Sequence, residues 1–140
     1  MKMRSIYFIL WMVMLILAFT VISASATDYP TRPITLICAT SAGGGYDLGA
    51  RNIARFLPKY LPKKVDVIVD NMPGAGQLIA MHALYAAKPD GYTLLACNAL
   101  TAVLAAATRP GQIKFDPTKF QYLGMWQDDT RAIGLVNALK

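Results

Sequence analysis

Residues that usually carry catalysis or hold metals are scarce in this sequence. Its 140 residues include no Glu, one His and two Cys. The eight acidic residues are all Asp, and none forms a pair placed for general acid–base catalysis. The His and Cys residues lack the spacing of a zinc site, and Ser41 has no nearby base that would make it a nucleophile. We therefore predict no catalytic residue, no metal ligand and no cofactor.

Nucleotide- and nucleic-acid-binding signals are also missing. The phosphate-loop pattern G-x-x-x-x-G-K-S/T does not occur, and Gly43–Gly45 fails the G-x-G-x-x-G spacing because Leu48 replaces the third glycine. The chain is basic, with a formal net charge of +6. Its Lys and Arg residues form no cluster, so we expect no nucleic-acid partner.

A single long apolar run occupies Ile6–Ile22, after two basic residues. The small residues Ser23–Ala26 follow it, and this layout is typical of a secretory signal. We expect cleavage after Ala26, a mature chain of residues 27–140 and a periplasmic location. An uncleaved N-terminal anchor is the alternative, because the run is close to the shortest length that spans a membrane.

The remainder of the chain alternates strand-like and helix-like segments. We predict strands at residues 34–39, 65–69, 92–97, 120–125 and 133–136, and helices from residue 46 or 47 to about Pro58, at 77–87 and at 102–107. This order predicts an α/β fold with a doubly wound, mainly parallel sheet. The first strand should lie between the second and the third.

Five side chains are assigned structural roles. Cys38 and Cys97 lie in apolar, strand-like segments, which favours buried thiols over a disulfide. His82 lies within a helix with no carboxylate or Ser at a useful spacing, so we expect a partly exposed, non-catalytic residue. Tyr46 and Trp126 are expected to pack in the core.

Three loops follow the carboxyl ends of the first three strands, at residues 41–47, 71–76 and 98–101. Ligands of open α/β sheets bind at that edge. Two of the loops are glycine-rich and lead into helices, whose N-termini favour anions. We therefore expect a carboxylate- or phosphate-sized anion bound mostly by backbone N–H groups. For Gly43–Gly45 the alternative is a tight turn without a ligand, and Asp47 either caps its helix or contacts the ligand.

Four sequence blocks in this order have a family resemblance. They are YPTRPITLI at 29–37, SAGGGYDLGAR at 41–51, VIVDNMPGAGQLIA at 67–80 and AAKPDGYTLLACN at 86–98, and FDPTKFQYLG at 115–124 extends them. Together they resemble the periplasmic substrate-binding proteins of tripartite tricarboxylate transporters, the Bug family. The resemblance implies two α/β lobes around a cleft, small carboxylate ligands and a membrane permease partner with one large and one small subunit.

Carried onto this sequence, the resemblance implies a set of ligand-binding residues. They are Ala42, Gly43, Gly44, Gly45 and Asp47 in the first loop, Pro73, Gly74, Ala75 and Gly76 in the second, and Asn98 and Thr101 in the third. Members of this family are much longer, so the chain is expected to be an incomplete first lobe without the second. The alternatives are a ligand-sensing domain for a membrane signalling partner, a truncated non-functional relative and, less favoured, a small exported hydrolase.

Overall fold

The computed structural model describes residues 11–12, 28–109, 111–127 and 131–137. The predicted secretory signal and its cleavage site at Ala26 lie outside these residues, apart from Trp11 and Met12. Within the described ranges, no helix has both the length and the apolar character needed to cross a membrane.

From residue 28 onward, the described part contains five strands and three α-helices. In chain order they are β1 (Ile34–Cys38), α1 (Gly45–Phe56), β2 (Val67–Asn71), α2 (Leu78–Ala86), β3 (Thr93–Asn98), α3 (Ala99–Thr108), β4 (Phe120–Gln127) and β5 (Arg131–Asn137). Short 3-10 turns occupy Leu57–Lys59, Ala75–Gln77 and Pro117–Lys119. The predicted end of the first helix near Pro58 is confirmed, because the α-helix gives way to the first of these turns.

One sheet contains all five strands, in the order β2-β1-β3-β5-β4. β1 pairs in parallel with β2 on one side and with β3 on the other, which confirms the predicted central position of the first strand. β5 runs antiparallel to both β3 and β4. The α/β class with a parallel βαβαβ unit is therefore confirmed, and the last two strands extend it as an antiparallel hairpin.

Helices cover both faces of the parallel strands. Ile37 lies with Leu95 and Met81 in the core on the α2 and α3 side. Leu36 and Cys38 lie in a second core that includes Ala50 of α1. Alternate residues of a strand point to opposite faces, so burial on both faces explains why β1 reads as a continuous apolar run.

Several predicted boundaries were wrong, among them the starts of β2, α3 and β5 and the end of β4. β2 begins at Val67 rather than at residue 65, because its partner strand begins at Ile34, which pairs with Val67. α3 begins at Ala99 rather than at residue 102, because the Asn98 side chain caps it by accepting a hydrogen bond from the backbone N–H of Leu100 at 3.0 Å.

The predicted burial and packing of individual side chains are confirmed. Both cysteines are buried free thiols, and burial raises the pKa of Cys97 to about 12. His82 is half-buried, and its Nε2 atom accepts a hydrogen bond from the backbone N–H of Lys114 at 3.0 Å. The rings of Tyr46 and Trp126 contact each other edge to face against the α1-side core.

Candidate ligand-binding loops

The carboxyl ends of three parallel strands bring three connections to one edge of the sheet. These are the first loop (residues 39–44) after β1, the second loop (residues 72–77) after β2, and the direct β3–α3 junction (residues 98–99). The N–H of Met72 donates to the carbonyl of Cys38 at 2.8 Å. The N–H of Ala39 donates to the carbonyl of Ala96 at 3.0 Å. Backbone hydrogen bonds thus hold the three strand ends together where the loops begin.

Asp47 connects the first loop, α1 and β2. It is the one charged residue in the buried part of the described structure, with 2% of its surface exposed. Its Oδ2 atom accepts hydrogen bonds from the N–H of Gly43 at 2.8 Å and from Nε of Arg51 at 2.9 Å. Its Oδ1 atom accepts one from Nδ2 of Asn71 at 2.9 Å. The Asn71 amide also donates to the carbonyl of Thr40 at 3.0 Å, which fixes the loop from both ends.

These donors set the protonation state of Asp47. The Arg51 guanidinium, followed by the Gly43 N–H and the Asn71 amide, holds the pKa of this carboxyl well below its usual range. The same contact raises the pKa of Arg51. The sequence left two roles open for Asp47, a cap of its helix or a ligand contact. In the structure its contacts hold the first loop in place, because its side chain accepts from the Gly43 N–H. Gly44 is the N-cap residue of α1, and it has no side-chain cap.

The N-terminus of α1 presents backbone donors at the surface. Gly44 and Gly45 are exposed, and their N–H groups make no hydrogen bond to any described residue. The first N–H groups of a helix have no acceptor within the helix and carry the positive end of its dipole. A Cβ atom added at Gly43 would meet nothing within 4 Å, so the space over the loop is open. The negative charge of Asp47, which lies beneath these donors, is balanced by its ion pair with Arg51.

The second loop has an unusual backbone. Four successive residues have positive φ: Gly74 (128°), Ala75 (47°), Gly76 (62°) and Gln77 (75°). Glycine adopts this region freely, whereas Ala and Gln are strained in it. A side-chain contact stabilises the strained backbone of Gln77, because its Oε1 atom accepts a hydrogen bond from the N–H of Asn98 at 2.8 Å. This contact joins the second loop to the β3–α3 junction.

A groove of about 190 Å³ lies between the second loop and α3. Ala75 and Gly76 line one wall, and Thr101, Leu104 and Thr108 line the other. A Cβ atom at Gly76 would meet nothing within 4 Å, so this wall is also open. The structure therefore places Thr101 beside the second loop.

The expected ligand-binding residues fall into three groups in the structure. Those of the first loop, the first residue of α1 and the second loop are exposed at the carboxyl edge of the sheet: Ala42, Gly43, Gly44, Gly45, Pro73, Gly74, Ala75 and Gly76. Asp47 is buried beneath them. Asn98 and Thr101 are half-buried at the start of α3, where the Asn98 side chain already serves as the helix cap.

Three residues that shape these loops were not among those expected: Arg51, Asn71 and Gln77. Arg51 stands one helical turn after Asp47, and that i,i+4 spacing is a signal that could have identified the ion pair. Asn71 ends a strand at the edge where the loops meet. Nothing in the sequence pattern indicates the Gln77–Asn98 contact, because it joins residues from different loops.

Comparison with known proteins identifies the family. The model of the "Tripartite tricarboxylate transporter family receptor", TctC, matches residues 50–132, which is more than half of the chain. The chain belongs to this family. The match includes the second loop and the β3–α3 junction and begins at residue 50, within α1.

Relatives and solved structures agree with this assignment. A UPF0065 protein of Bordetella bronchiseptica is 43% identical over 90 residues, which cover 64% of this chain and 26% of that protein. The periplasmic binding protein BugD has 30% identity and a TM-score of 0.58, and the match covers 69% of this chain and 31% of BugD. MatC of Rhodopseudomonas palustris, solved with bound malate, has 31% identity and a TM-score of 0.61 over 69% of this chain and 32% of MatC.

The chain is much shorter than its TctC-family relatives. It spans about a quarter of the length of the first curated relatives and about a third of the solved proteins. The solved homologues are periplasmic and solute-binding proteins, with the mixed α/β fold described above.

Replacing Asp47 with Asn should change how stability depends on pH. Because the pKa of Asp47 is lowered in the folded chain, its ionised form stabilises the fold above the ordinary Asp pKa of about 4, and this contribution is lost as the pH falls below that value. The Asp47→Asn variant should be less stable than the parent at neutral pH, and the difference should shrink on acidification. Urea unfolding between neutral and acidic pH measures this.

Asp70→Asn is the matched control, because the Asp70 side chain is exposed and makes no hydrogen bond or ion pair with a described residue. Asp116, whose pKa is also lowered, is unchanged in all three proteins. If the free energy of unfolding depends on pH in the same way for Asp47→Asn and Asp70→Asn, the stabilising role assigned to the Asp47 contacts is contradicted.

Glycine substitutions in the second loop should separate backbone strain from side-chain bonding. Ala75→Gly removes an unfavourable left-handed Ala and should stabilise the chain by about 1 kcal/mol. Gln77→Gly removes similar strain but also the hydrogen bond to the Asn98 N–H, worth about 0.5–1.5 kcal/mol. It should therefore be less stable than Ala75→Gly in chemical denaturation. Equal stabilisation by the two changes would mean that the Gln77 contact contributes nothing.

Proposed function

We propose that this chain belongs to an extracytoplasmic solute-binding protein that captures small carboxylates for a tripartite tricarboxylate transporter. The ligand is bound by backbone N–H groups of the strand-to-helix loops, with the first and second loops and the start of α3 forming one side of the site. This side does no chemistry on the ligand. Its task is to recognise a carboxylate and release it unchanged to the membrane permease subunits.

The observation that carries the proposal is the pair of exposed, unpaired N–H groups at Gly44 and Gly45. They stand at the positive end of α1, over a carboxylate that is already neutralised by Arg51. Two N–H groups at a helix N-terminus suit the two oxygens of a carboxylate. The open space over Gly43 allows the ligand to approach the backbone closely.

The relatives support the class of ligand. MatC was solved with malate, and another structurally similar protein of the same organism was solved with adipate. Both molecules are dicarboxylates, and they differ in length and in hydroxyl content. We therefore assign this chain a small carboxylate as its ligand class, and backbone recognition of a carboxylate end is the feature that both molecules can share.

Binding should depend on the Gly45 N–H. Gly45 is the first residue of α1, where Pro is well tolerated because its ring fits the helix start. Gly45→Pro removes one donor, whereas Gly45→Ala adds a similar Cβ atom and keeps the N–H. We expect titration with malate or adipate, followed by amide NMR, to shift the Gly44 and Gly45 signals of the parent chain. Gly45→Pro should bind about tenfold more weakly than Gly45→Ala.

Sodium chloride at matched ionic strength is the control for a general salt effect. Equal affinities of the Pro and Ala variants would overturn backbone recognition at this loop. Shifts that are identical with chloride and with dicarboxylates would overturn carboxylate binding itself.

The proposed location follows from the sequence and the family. We assign residues 1–26 to a secretory signal, and the periplasmic homologues support export of this chain. Membrane permease subunits are the corresponding partners.

Expression of the chain from Met1 should yield a periplasmic protein that begins at Thr27. Intact-mass measurement and N-terminal sequencing of the periplasmic fraction test this directly. Replacing Ala26 with a bulky residue should block processing, because the cleavage site requires small side chains. A membrane-bound product that retains Met1 would instead support the uncleaved anchor.

A further inference from the structure

A second surface lies away from the ligand-binding loops, at the start of edge strand β2. A groove of about 540 Å³ separates the end of α1 from residues 64–68. We call it the β2 groove. Its walls include Arg55 and Lys59 on the α1 side, and Lys64, Asp66 and Val67 on the strand side.

The charge of the β2 groove is uncompensated. Arg55, Lys59 and Lys64 are exposed and form no ion pair with any described residue, whereas Asp66 is the one acidic residue in the lining. Arg55 and Lys59 instead lie over the ring of Phe56. Three unpaired cations around a concave surface favour an anionic partner.

The backbone of β2 offers a second element of recognition. The Asp66 carbonyl accepts from the N–H of Ile34, and the N–H of Met72 donates to the carbonyl of Cys38. Since strand residues alternate, the even-numbered residues of β2 direct their backbone groups to β1, and Val67 and Val69 direct theirs outward. The outward N–H and C=O groups make no hydrogen bond to a described residue. Among the described strands, β2 is therefore an edge strand whose outward backbone groups are available for pairing with another strand.

We propose that an extended acidic segment of a partner protein binds here as an additional strand. Its backbone pairs with the outward groups of Val67 and Val69, and its carboxylates lie against Arg55, Lys59 and Lys64. Strand addition supplies affinity through the main chain, and the side-chain charges supply selectivity. The free ladder and the uncompensated cations lie side by side, and an acidic extended polypeptide satisfies both.

A lipid surface and a second copy joined through β4 each satisfy only part of this surface. A lipid surface would use the cations and the exposed aromatic rings of Phe56 and Tyr60, but it has no strand to pair with Val67 and Val69. A second copy joined through β4 would supply a strand, but the residues from Phe120 to Gln127 contain no acidic side chain to meet the cations.

Two short acetylated peptides serve as probes, one alternating Thr with Asp and the other alternating Thr with Lys. We expect the Asp peptide to bind the complete chain and to slow hydrogen exchange at the amides of Val67 and Val69. The Lys peptide should do neither. Val69→Pro removes an outward N–H while leaving the β1 side of the ladder intact, and Pro is tolerated in this orientation on an edge strand. It should weaken Asp-peptide binding about tenfold.

Charge reversal provides a test that does not depend on the Pro variant. The double variant Lys59→Glu/Lys64→Glu should lose Asp-peptide binding, whereas the charge-matched control Lys88→Glu/Lys114→Glu should retain it. Neither Lys88 nor Lys114 lines the groove. Malate-induced shifts at Gly44 and Gly45 should persist in both double variants, so this proposal and the carboxylate-binding proposal fail separately.

Four outcomes would overturn the proposal. Equal binding of the Asp and Lys peptides would show that the cations do not select an acidic partner. Unchanged binding of the Asp peptide to Lys59→Glu/Lys64→Glu would show the same. Protection of Val67 and Val69 that rises with protein concentration in the absence of peptide would assign the edge to a second copy. Stronger binding to phosphatidylglycerol vesicles than to the Asp peptide, lost on charge reversal, would assign the groove to a membrane surface.

Discussion

The Asp47 carboxylate is the constraint on which the geometry of the site depends. It joins the Gly43 N–H, the Arg51 guanidinium and the Asn71 amide, and so links the first loop, α1 and the end of β2. A buried carboxylate is tolerated because three donors compensate its loss of hydration. With its charge balanced from below, the N-terminus of α1 keeps its N–H groups unpaired, as the proposed binding of a carboxylate requires.

A second, partly buried side-chain contact positions the loops on the other side of the sheet edge. Gln77 adopts a strained backbone conformation and uses its side chain to hold the β3–α3 junction. Strain of this kind persists where neighbouring contacts fix it, and it is common at binding sites. The loops are thus positioned by side chains below the surface, while the surface itself consists of backbone and small residues. The proposed recognition by backbone would suit a family whose solved members contain ligands as different as malate and adipate.

Much of this arrangement could be predicted from the sequence. The alternation of apolar runs with glycine-rich turns indicated the parallel βαβαβ unit, and the position of the loops followed from it, because carboxyl ends of parallel strands share an edge. The antiparallel direction of β5 could not be predicted, since the run near Ile133 is compatible with either direction. Asn71 was missed because its role depends on contacts between elements. Arg51 was missed although its i,i+4 spacing from Asp47 indicates an ion pair, and Asn98 was expected at the ligand although its side chain caps α3.

A crystal structure of the chain with malate would test the central claim most directly. The decisive quantity is the distance from a carboxylate oxygen of malate to the backbone N atoms of Gly44 and Gly45. Our account predicts hydrogen-bond distances of about 3 Å to these atoms, with the Asp47–Arg51 pair unchanged. Malate bound instead to the Arg51 guanidinium, with the pair to Asp47 broken, would contradict it.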